Sequence, residues 1–486
     1  MQRELIAVMP ELMLVGTAII ILLIDPMLPA TGRRGLSWLG IFACVTAIFS
    51  TWFVRAEEYS SFSSAIAIDR YVVFFKILLL VVAIMAMLLS EKHLALRGRL
   101  LGDYYALILF TTTGMMVMAA SIDLITFFVG LELMALSTYL LAGFFRYEER
   151  SIEAGLKYFV TGSFASLFLL FGMAWLYGMT GSTNFEEIGD VIRAGAVPGD
   201  ALAIAIIMLV AGFGFKVAAA PFHNWAPDVY QGAPTPAAAF LAVGPKIGSF
   251  AVLIKVFTIM LGGESGTWLM PVIAMSIATM LIGATLALVQ RDLKRMLGYS
   301  SIAHVGYLLL GVVAFGETGS SFGQAAILFY LAVYAFMNMG AFGVLVYLAN
   351  RTRFGDSLDE MMGVGRRFPA AAAIMTLFML SLTGIPPTAG FVAKFYLFAS
   401  VVDAGFAWLA VLGVLFSVVS AFFYLRVIVY MYMRDPEAEL QGVPAGSSWD
   451  LNLGLGIATA GVILLGILPS PVISAAQDAV VRVLGI

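Results

Sequence analysis

Four charged side chains stand inside otherwise apolar runs. They are Glu132 in Phe127-Phe-Val-Gly-Leu-Glu132-Leu-Met, Lys216 in Gly212-Phe-Gly-Phe-Lys216-Val-Ala-Ala-Ala-Pro221-Phe-His223, Lys246 in Val243-Gly-Pro-Lys246-Ile-Gly, and Lys394 shortly after Gly384-Ile-Pro386-Pro387. A charge in the middle of an apolar span costs about 3 kcal/mol on insertion scales, so residues of this kind mark functional sites. Lys246 and Lys394 lie beside Gly or Pro interruptions and Lys216 lies five residues before one. That pattern is expected where charge crosses a bilayer along side chains, and the chemistry it predicts is ion or proton translocation. Glu132 and Lys216 are expected to pair, because a buried carboxylate and lysine share a proton whose position depends on their separation.

Other polar residues have two readings each. Lys157, one turn after Glu153, makes either a surface i,i+4 ion pair or a group that tunes Glu132 and Lys216. His223 and His304 are either core histidines that hold freed carbonyls or proton relays between the inner surface and the lysines. Lys76 and Lys255 read as lysines that snorkel to a membrane surface or as buried groups. The three histidines, His93, His223 and His304, lack metal-ligand spacing, and the single Cys44 permits no cysteine cluster, so no metal site is expected. Gly212-Phe-Gly-Phe-Lys216 lacks the phosphate-loop pattern, and no cofactor site is expected in this chain.

The elements that carry these residues follow from composition. Hydrophobic residues make up 61% of the chain and charged residues 12%. An ordinary soluble domain has about 25% charged residues, so the chain belongs in a lipid bilayer. A net charge of −3 provides no basic surface for nucleic acid. Hydropathy predicts an all-α polytopic membrane protein of about fourteen transmembrane helices. The spans run over 5–24, 36–54, 71–90, 101–120, 122–142, 154–178, 200–222, 236–260, 268–289, 299–315, 324–348, 369–400, 406–433 and 451–468. The first is not a cleaved signal, since Glu4 and Glu11 replace a basic leader.

Two spans are expected to be broken by proline, the seventh at Pro221 and the twelfth at Pro386 and Pro387. Their carbonyls should line hydrated cavities rather than lipid. The two broken spans lie five apart, so spans four to eight (101–260) and nine to thirteen (268–433) form two five-helix repeats. An odd number of crossings inverts the second copy. Helices one to three (1–100) are peripheral within this single transmembrane domain of residues 1–486. Helix fourteen and a C-terminal amphipathic segment at the outer interface cover 451–486. Lys and Arg in the short loops favour one side by roughly three to one, which predicts both termini outside. On this topology Glu132, Lys216 and Lys246 lie near mid-depth and Lys394 lies in the outer half of its span.

Three long segments resemble a known family. Pro221-Phe-His-Asn-Trp-Ala-Pro-Asp-Val-Tyr-Gln-Gly-Ala-Pro-Thr-Pro236, Arg291-Asp-Leu-Lys-Arg-Met-Leu-Gly-Tyr-Ser-Ser-Ile-Ala-His304-Val-Gly-Tyr307 and Gly384-Ile-Pro-Pro-Thr-Ala-Gly-Phe-Val-Ala-Lys394-Phe are similar to the antiporter-like membrane subunits of respiratory complex I. Within that family the chain most resembles the N type. A lysine rather than a glutamate stands at position 394, and the chain ends after fourteen spans without a long lateral helix. The resemblance implies that Glu132, Lys216, Lys246 and Lys394 move protons in a bacterial inner-membrane NADH:quinone oxidoreductase. It also implies that both termini are periplasmic, that two further antiporter-like subunits are partners, and that FMN, iron-sulfur clusters and quinone belong to partner subunits. Two rival readings are a subunit of a multi-subunit sodium/proton antiporter and a passive membrane scaffold.

Overall fold

Backbone amides in hydrocarbon have no water to bond, so each segment that enters it must satisfy its own hydrogen bonds, and the chain does so with helices. The computed structural model describes residues 2–29, 32–54, 59–98, 101–351, 356–435 and 448–480. Arg55, Arg99, Arg353 and Arg482, used in the loop-charge comparison, lie outside the described residues.

The chain opens with α1 (Gln2–Ala7), α2 (Met9–Ile24), α3 (Gly35–Val54) and α4 (Arg70–Leu96). A short hairpin of β1 (Tyr59–Ser61) and β2 (Ile66–Ile68) precedes α4, an element hydropathy did not foresee. Next come α5 (Gly102–Ala120), α6 (Leu124–Ala142), α7 (Glu149–Thr180), the short α8 (Phe185–Arg193), α9 (Gly199–Val217), α10 (Trp225–Gly232) and α11 (Thr235–Lys255). The second half holds α12 (Ser265–Val289), α13 (Leu293–Thr318), α14 (Ser321–Arg351), the one-turn α15 (Val364–Arg367), α16 (Pro369–Thr383), α17 (Ala389–Asp403) and α18 (Ala407–Met433). It closes with α19 (Trp449–Ile467) and α20 (Ser470–Val480), the latter packed on α4 and α14.

Among the described residues, 13 helices are long and apolar enough to cross a membrane. The remaining expected crossing is the pair α16 and α17. Each has 15 residues. At 1.5 Å per residue that is about 22 Å, too short alone for a hydrocarbon core of about 30 Å.

A helix that is apolar all round belongs inside a bundle rather than on its surface. Every residue of α11 is buried, and α13 and α14 are nearly so. Around this centre helices approach closely where glycine removes the side chain. A Cβ on Gly114 of α5 would lie 2.6 Å from the Gly130 carbonyl of α6, and one on Gly283 of α12 would lie 2.8 Å from the Ala303 backbone of α13. Such small residues let membrane helices pack backbone to backbone.

Two expectations about the breaks need correction. Neither helix stops at its proline: α9 ends at Val217 and α16 at Thr383, and the prolines lie within the turns that follow. What ends both helices is a left-handed residue, Ala218 (φ 62°) and Gly384 (φ 88°). The reversal leaves their backbones to bond backwards in the same pattern. Ala219 N–H bonds Gly214 O and Ala218 N–H bonds Phe215 O, just as Ile385 N–H bonds Leu380 O and Gly384 N–H bonds Ser381 O. The irregularity expected at Lys246 is also absent, since α11 runs on through Pro245.

Candidate functional site

Glu132 lies half-buried at the middle of α6, whose start is capped by Asp123 accepting from Thr126 N–H at 2.9 Å. Lys216 lies in the last turn of α9, 7% exposed, where the negative end of a helix dipole favours a cation. The two do not pair directly. Ser166 of α7 stands between them: its hydroxyl donates to Glu132 Oε1 at 2.5 Å and accepts from Lys216 Nζ at 3.1 Å. The expected ion pair is thus bridged by a hydroxyl. Ser166 was missed, although it falls on the buried stripe of α7 with Ala154, Tyr158, Gly162 and Leu169 at helical spacing.

Past Lys216 the chain turns through buried Ala218, Ala219 and Ala220 before Pro221. Ala220 N–H donates to Thr279 Oγ1 of α12 at 2.9 Å, and Trp225 Nε1 donates to the Phe215 carbonyl at 3.3 Å, which also accepts from Ala218 N–H. One carbonyl expected to line a hydrated cavity thus has a donor from the protein itself, and the Ala220 N–H has a protein acceptor. His223 is buried here, and its Nδ1 has no hydrogen-bond partner in the protein. The ring of Trp225 stacks between Tyr158 (4.4 Å) and Phe215 (5.4 Å) and meets Tyr230 edge-on at 6.1 Å. The aromatic cluster thus runs from Phe215, the neighbour of Lys216, to Tyr230, which touches Lys246.

Lys246 is 2% exposed and held by hydroxyls. Its Nζ donates to Ser301 Oγ of α13 and lies 3.5 Å from Tyr230 OH, with the Tyr334 ring 6.0 Å away. Ser301 Oγ in turn accepts from Tyr334 OH at 2.8 Å, and Asn338 Nδ2 donates to the same tyrosine oxygen at 2.5 Å.

His304 is one turn from Ser301 on α13. Its ring nitrogens meet Tyr330 OH (2.7 Å) and Tyr424 OH (3.2 Å), and the Tyr334 ring is 5.3 Å away. This corrects the sequence reading twice. The histidine holds phenols rather than freed carbonyls, and it lies between the Lys246 and Lys394 neighbourhoods rather than between a surface and the lysines. Tyr307 continues the series, with its ring edge-on to His304 at 5.8 Å and facing Lys394 Nζ at 5.0 Å.

Lys394 belongs to α17 but reaches back across the break. Its Nζ donates to Leu382 O (3.0 Å), Thr383 O (2.9 Å) and Ser417 Oγ (2.8 Å). The lysine therefore satisfies the last carbonyls of α16. Its ammonium lies at the level of the break and not further along the span, because a helical side chain leans toward its own N-terminus. Pro386 and Pro387 are exposed on the outer side of this turn.

The remaining candidates lie elsewhere. Lys157 bonds Glu153 (2.6 Å) and Asp228 (2.9 Å), and Arg295 bonds the other oxygen of Asp228 at 2.5 Å. Glu153, Lys157 and Asp228, with Arg150 and Gln231, line a polar cavity of about 170 Å³ beside α10. Nine residues separate Lys157 from Ser166 on α7, about 13 Å along the axis. The contacts are those of the surface pair and do not include Glu132 or Lys216. Asp228 was legible in the quoted motif and was passed over.

Neither Lys76 nor Lys255 snorkels. Lys76 is 2.7 Å from Glu11, and Lys255 donates to Ala119 O at 2.7 Å at the end of α5. Among the described residues no group of three or more His, Cys, Asp or Glu side chains could hold a metal. A cavity of about 850 Å³ lined by Trp52, Phe74, Phe336 and Leu464 includes none of the four charged residues of the row.

Residues 121–420 match the family described as NADH:quinone oxidoreductase/Mrp antiporter, TM. The chain is 42% identical to NADH-quinone oxidoreductase subunit N of Trichlorobacter lovleyi over 474 residues, 97% of this chain and 96% of that protein. Among solved structures it is similar to a chain of respiratory complex I from Thermus thermophilus, with a TM-score of 0.80 and 30% identity over 96% of this chain and 99% of that one. A chain of the Mrp complex from Dietzia sp. shares the fold, with a TM-score of 0.82, 20% identity and 98% of each chain covered.

Proposed function

Because the chain belongs to the subunit N family of NADH-quinone oxidoreductases, a proton-translocating membrane subunit, we propose that Glu132, Lys216, Lys246 and Lys394 are its proton-carrying groups. The observation that carries this reading is that each lysine is presented with titratable or hydroxyl partners rather than sealed in hydrocarbon. Ser166 links Glu132 to Lys216. Ser301, the tyrosines and His304 occupy the space from Lys246 to Lys394.

Protons enter through the polar cavity at Glu153, Lys157 and Asp228, whose helix α10 also carries Tyr230 against Lys246. His223 is a second entry relay. Lys394 is the release group, and because a unit charge gains or loses about 2.3 kcal/mol across 100 mV, it alternates between isolated and water-connected states. The matching turns at Ala218 and Gly384 support two inverted five-helix repeats, 101–260 and 268–433. On this reading both termini are periplasmic, and two further antiporter-like subunits are among the chain's partners. FMN, iron-sulfur clusters and quinone act in partner subunits, and no redox chemistry occurs here.

The test uses the assembled complex in proteoliposomes, with NADH oxidation and acidification recorded together. Glu132→Gln should abolish or strongly reduce pumping in a complex that still assembles. Ser166→Ala should reduce it less, because water can replace a lost hydroxyl bridge. Normal pumping in assembled Glu132→Gln would sink the assignment. The Mrp-like fold keeps cation antiport as a second reading, and removal of the electron-input subunits separates the two, since an antiporter would still exchange cations.

A further inference from the structure

Outside the row described above, one buried charge pair has no role. Glu11 of α2 is 5% exposed and Lys76 of α4 is 3% exposed, and their Oε1 and Nζ atoms are 2.7 Å apart. Glu11 Oε2 is buried with no hydrogen-bond partner in the protein, and so are Ser249 Oγ of α11 and Thr111 Oγ1 of α5. Buried polar oxygens left unbonded by protein are normally satisfied by ordered water.

The depth of the pair follows from helix register. A Cβ on Gly102, at the start of α5, would meet Ile21 and Asp25 at the end of α2. The two helices run in opposite directions, as first and fourth crossings must. Glu11 lies ten residues before Ile21 and fourteen before Asp25, so it is level with residues 112–116 of α5. Met115 of α5 touches Gly244 and Gly248 of α11, the turn that carries Lys246. On the other side, Tyr71 OH bonds Ala251 O, which sets Lys76, five residues further along α4, near the level of the antiparallel α11 segment that carries Lys246 and Ser249. The backbones of Glu11 and Lys76 are therefore within about two turns of Lys246 in depth, roughly 10 Å. Gly114 of α5 packs on Gly130 and Met134 of α6, which puts Glu132 at this depth as well.

We propose that Glu11 and Lys76 form a lateral proton-exchanging pair of this subunit, level with the Lys246 row and connected to it by water at Glu11 Oε2, Thr111 and Ser249. The inference rests on the chain translocating protons. One proton passes from the Lys76 ammonium to Glu11 Oε1, leaving a neutral amine and a carboxylic acid; the acid rotates so that its O–H faces the water on the opposite side, that water takes the proton onward and leaves a carboxylate, and a proton returned through water restores the Lys76 ammonium. A purely structural role explains the pair poorly. Two apolar side chains would hold α2 against α4 at least as well, since desolvating two charges offsets most of their attraction.

The experiment compares Glu11→Gln, Glu11→Asp and Lys76→Met in the assembled, reconstituted complex, recording protons pumped per NADH and thermal stability. A working branch predicts that Glu11→Gln lowers the pumped-proton ratio roughly two-fold or more and that Glu11→Asp restores it. It also predicts a carboxylic-acid band in turnover infrared difference spectra that shifts in Glu11→Asp. Should Glu11→Gln fail to assemble, Ser249→Ala takes its place with the same ratio as readout. Lower melting temperature with an unchanged ratio and no carboxylic band overturns the proposal. The Glu132→Gln complex is the control: if it also pumps normally, the failure belongs to the parent assignment and not to the lateral pair.

Discussion

The two broken helices end in the same left-handed turn but use their lysines in opposite ways. In the first, Lys216 precedes the break and bonds sideways to Ser166, while an indole and a threonine from elsewhere satisfy the turn. In the second, Lys394 follows the break and is itself the donor to Leu382 O and Thr383 O. The first lysine is therefore free to trade partners without disturbing the backbone. The second cannot leave without stripping Leu382 O of its donor, although Thr383 O keeps a longer bond from Ser417 Oγ at 3.3 Å. One break separates the charge carrier from the structural donor, and the other combines them in one ammonium.

That difference predicts unequal consequences when each lysine is removed. Both Lys216→Met and Lys394→Met should abolish pumping. Lys394→Met should also destabilise the subunit by about 1–3 kcal/mol, because the Leu382 carbonyl loses its donor while Thr383 O keeps Ser417 Oγ, whereas Lys216→Met should cost little beyond its hydroxyl contact. Thermal unfolding of the assembled complexes checks this, and equal losses of stability would erase the contrast. A smaller effect is expected at Gly384. Alanine there adds about 1–2 kcal/mol of left-handed strain, and its Cβ would lie 2.9 Å from Lys394 Cδ. Gly384→Ala should therefore slow pumping by displacing the ammonium. Unaltered pumping would mean that the exact seat of Lys394 is unimportant.

The sequence made the charged row legible because charge in lipid is expensive, so Glu132, Lys216, Lys246 and Lys394 stand out against their runs. Hydroxyls send no such signal. Thr112 and Thr113 bond the carbonyls of Ile108 and Leu109 within their own helix, which makes an intramembrane hydroxyl inexpensive whether or not it has a function. Ser166 and Ser301 look the same in sequence, and only the packing of α7 and α13 distinguishes them. The number of crossings was legible because lipid enforces their length, but bounds such as 299 for Leu293 and 90 for Leu96 miss by six residues because helices continue past the apolar run. Pro245 misled because α11 is surrounded by neighbours that hold it straight through the proline. Lys76 and Lys255 misled because distance from a span end gives depth, and depth says nothing of a partner on another helix.

The smallest test of the comparison is at Thr279, which supports the first break from outside it. Its hydroxyl accepts from Ala220 N–H at 2.9 Å while donating to Met275 O. Thr279→Val keeps the shape and removes the acceptor, stranding a buried backbone N–H at a cost of about 1–3 kcal/mol. The turn after Lys216 should loosen, but Lys216 itself keeps Ser166 and Glu132, so pumping should fall only modestly. Thr279→Ser retains the oxygen and should behave as the parent in both stability and pumping. The measurement is the thermal midpoint and the pumped-proton ratio of the three complexes side by side. If Thr279→Val stops pumping as completely as Lys216→Met, the first break does not separate its structural hydrogen-bond partners from its proton carrier, and the two breaks work in the same way.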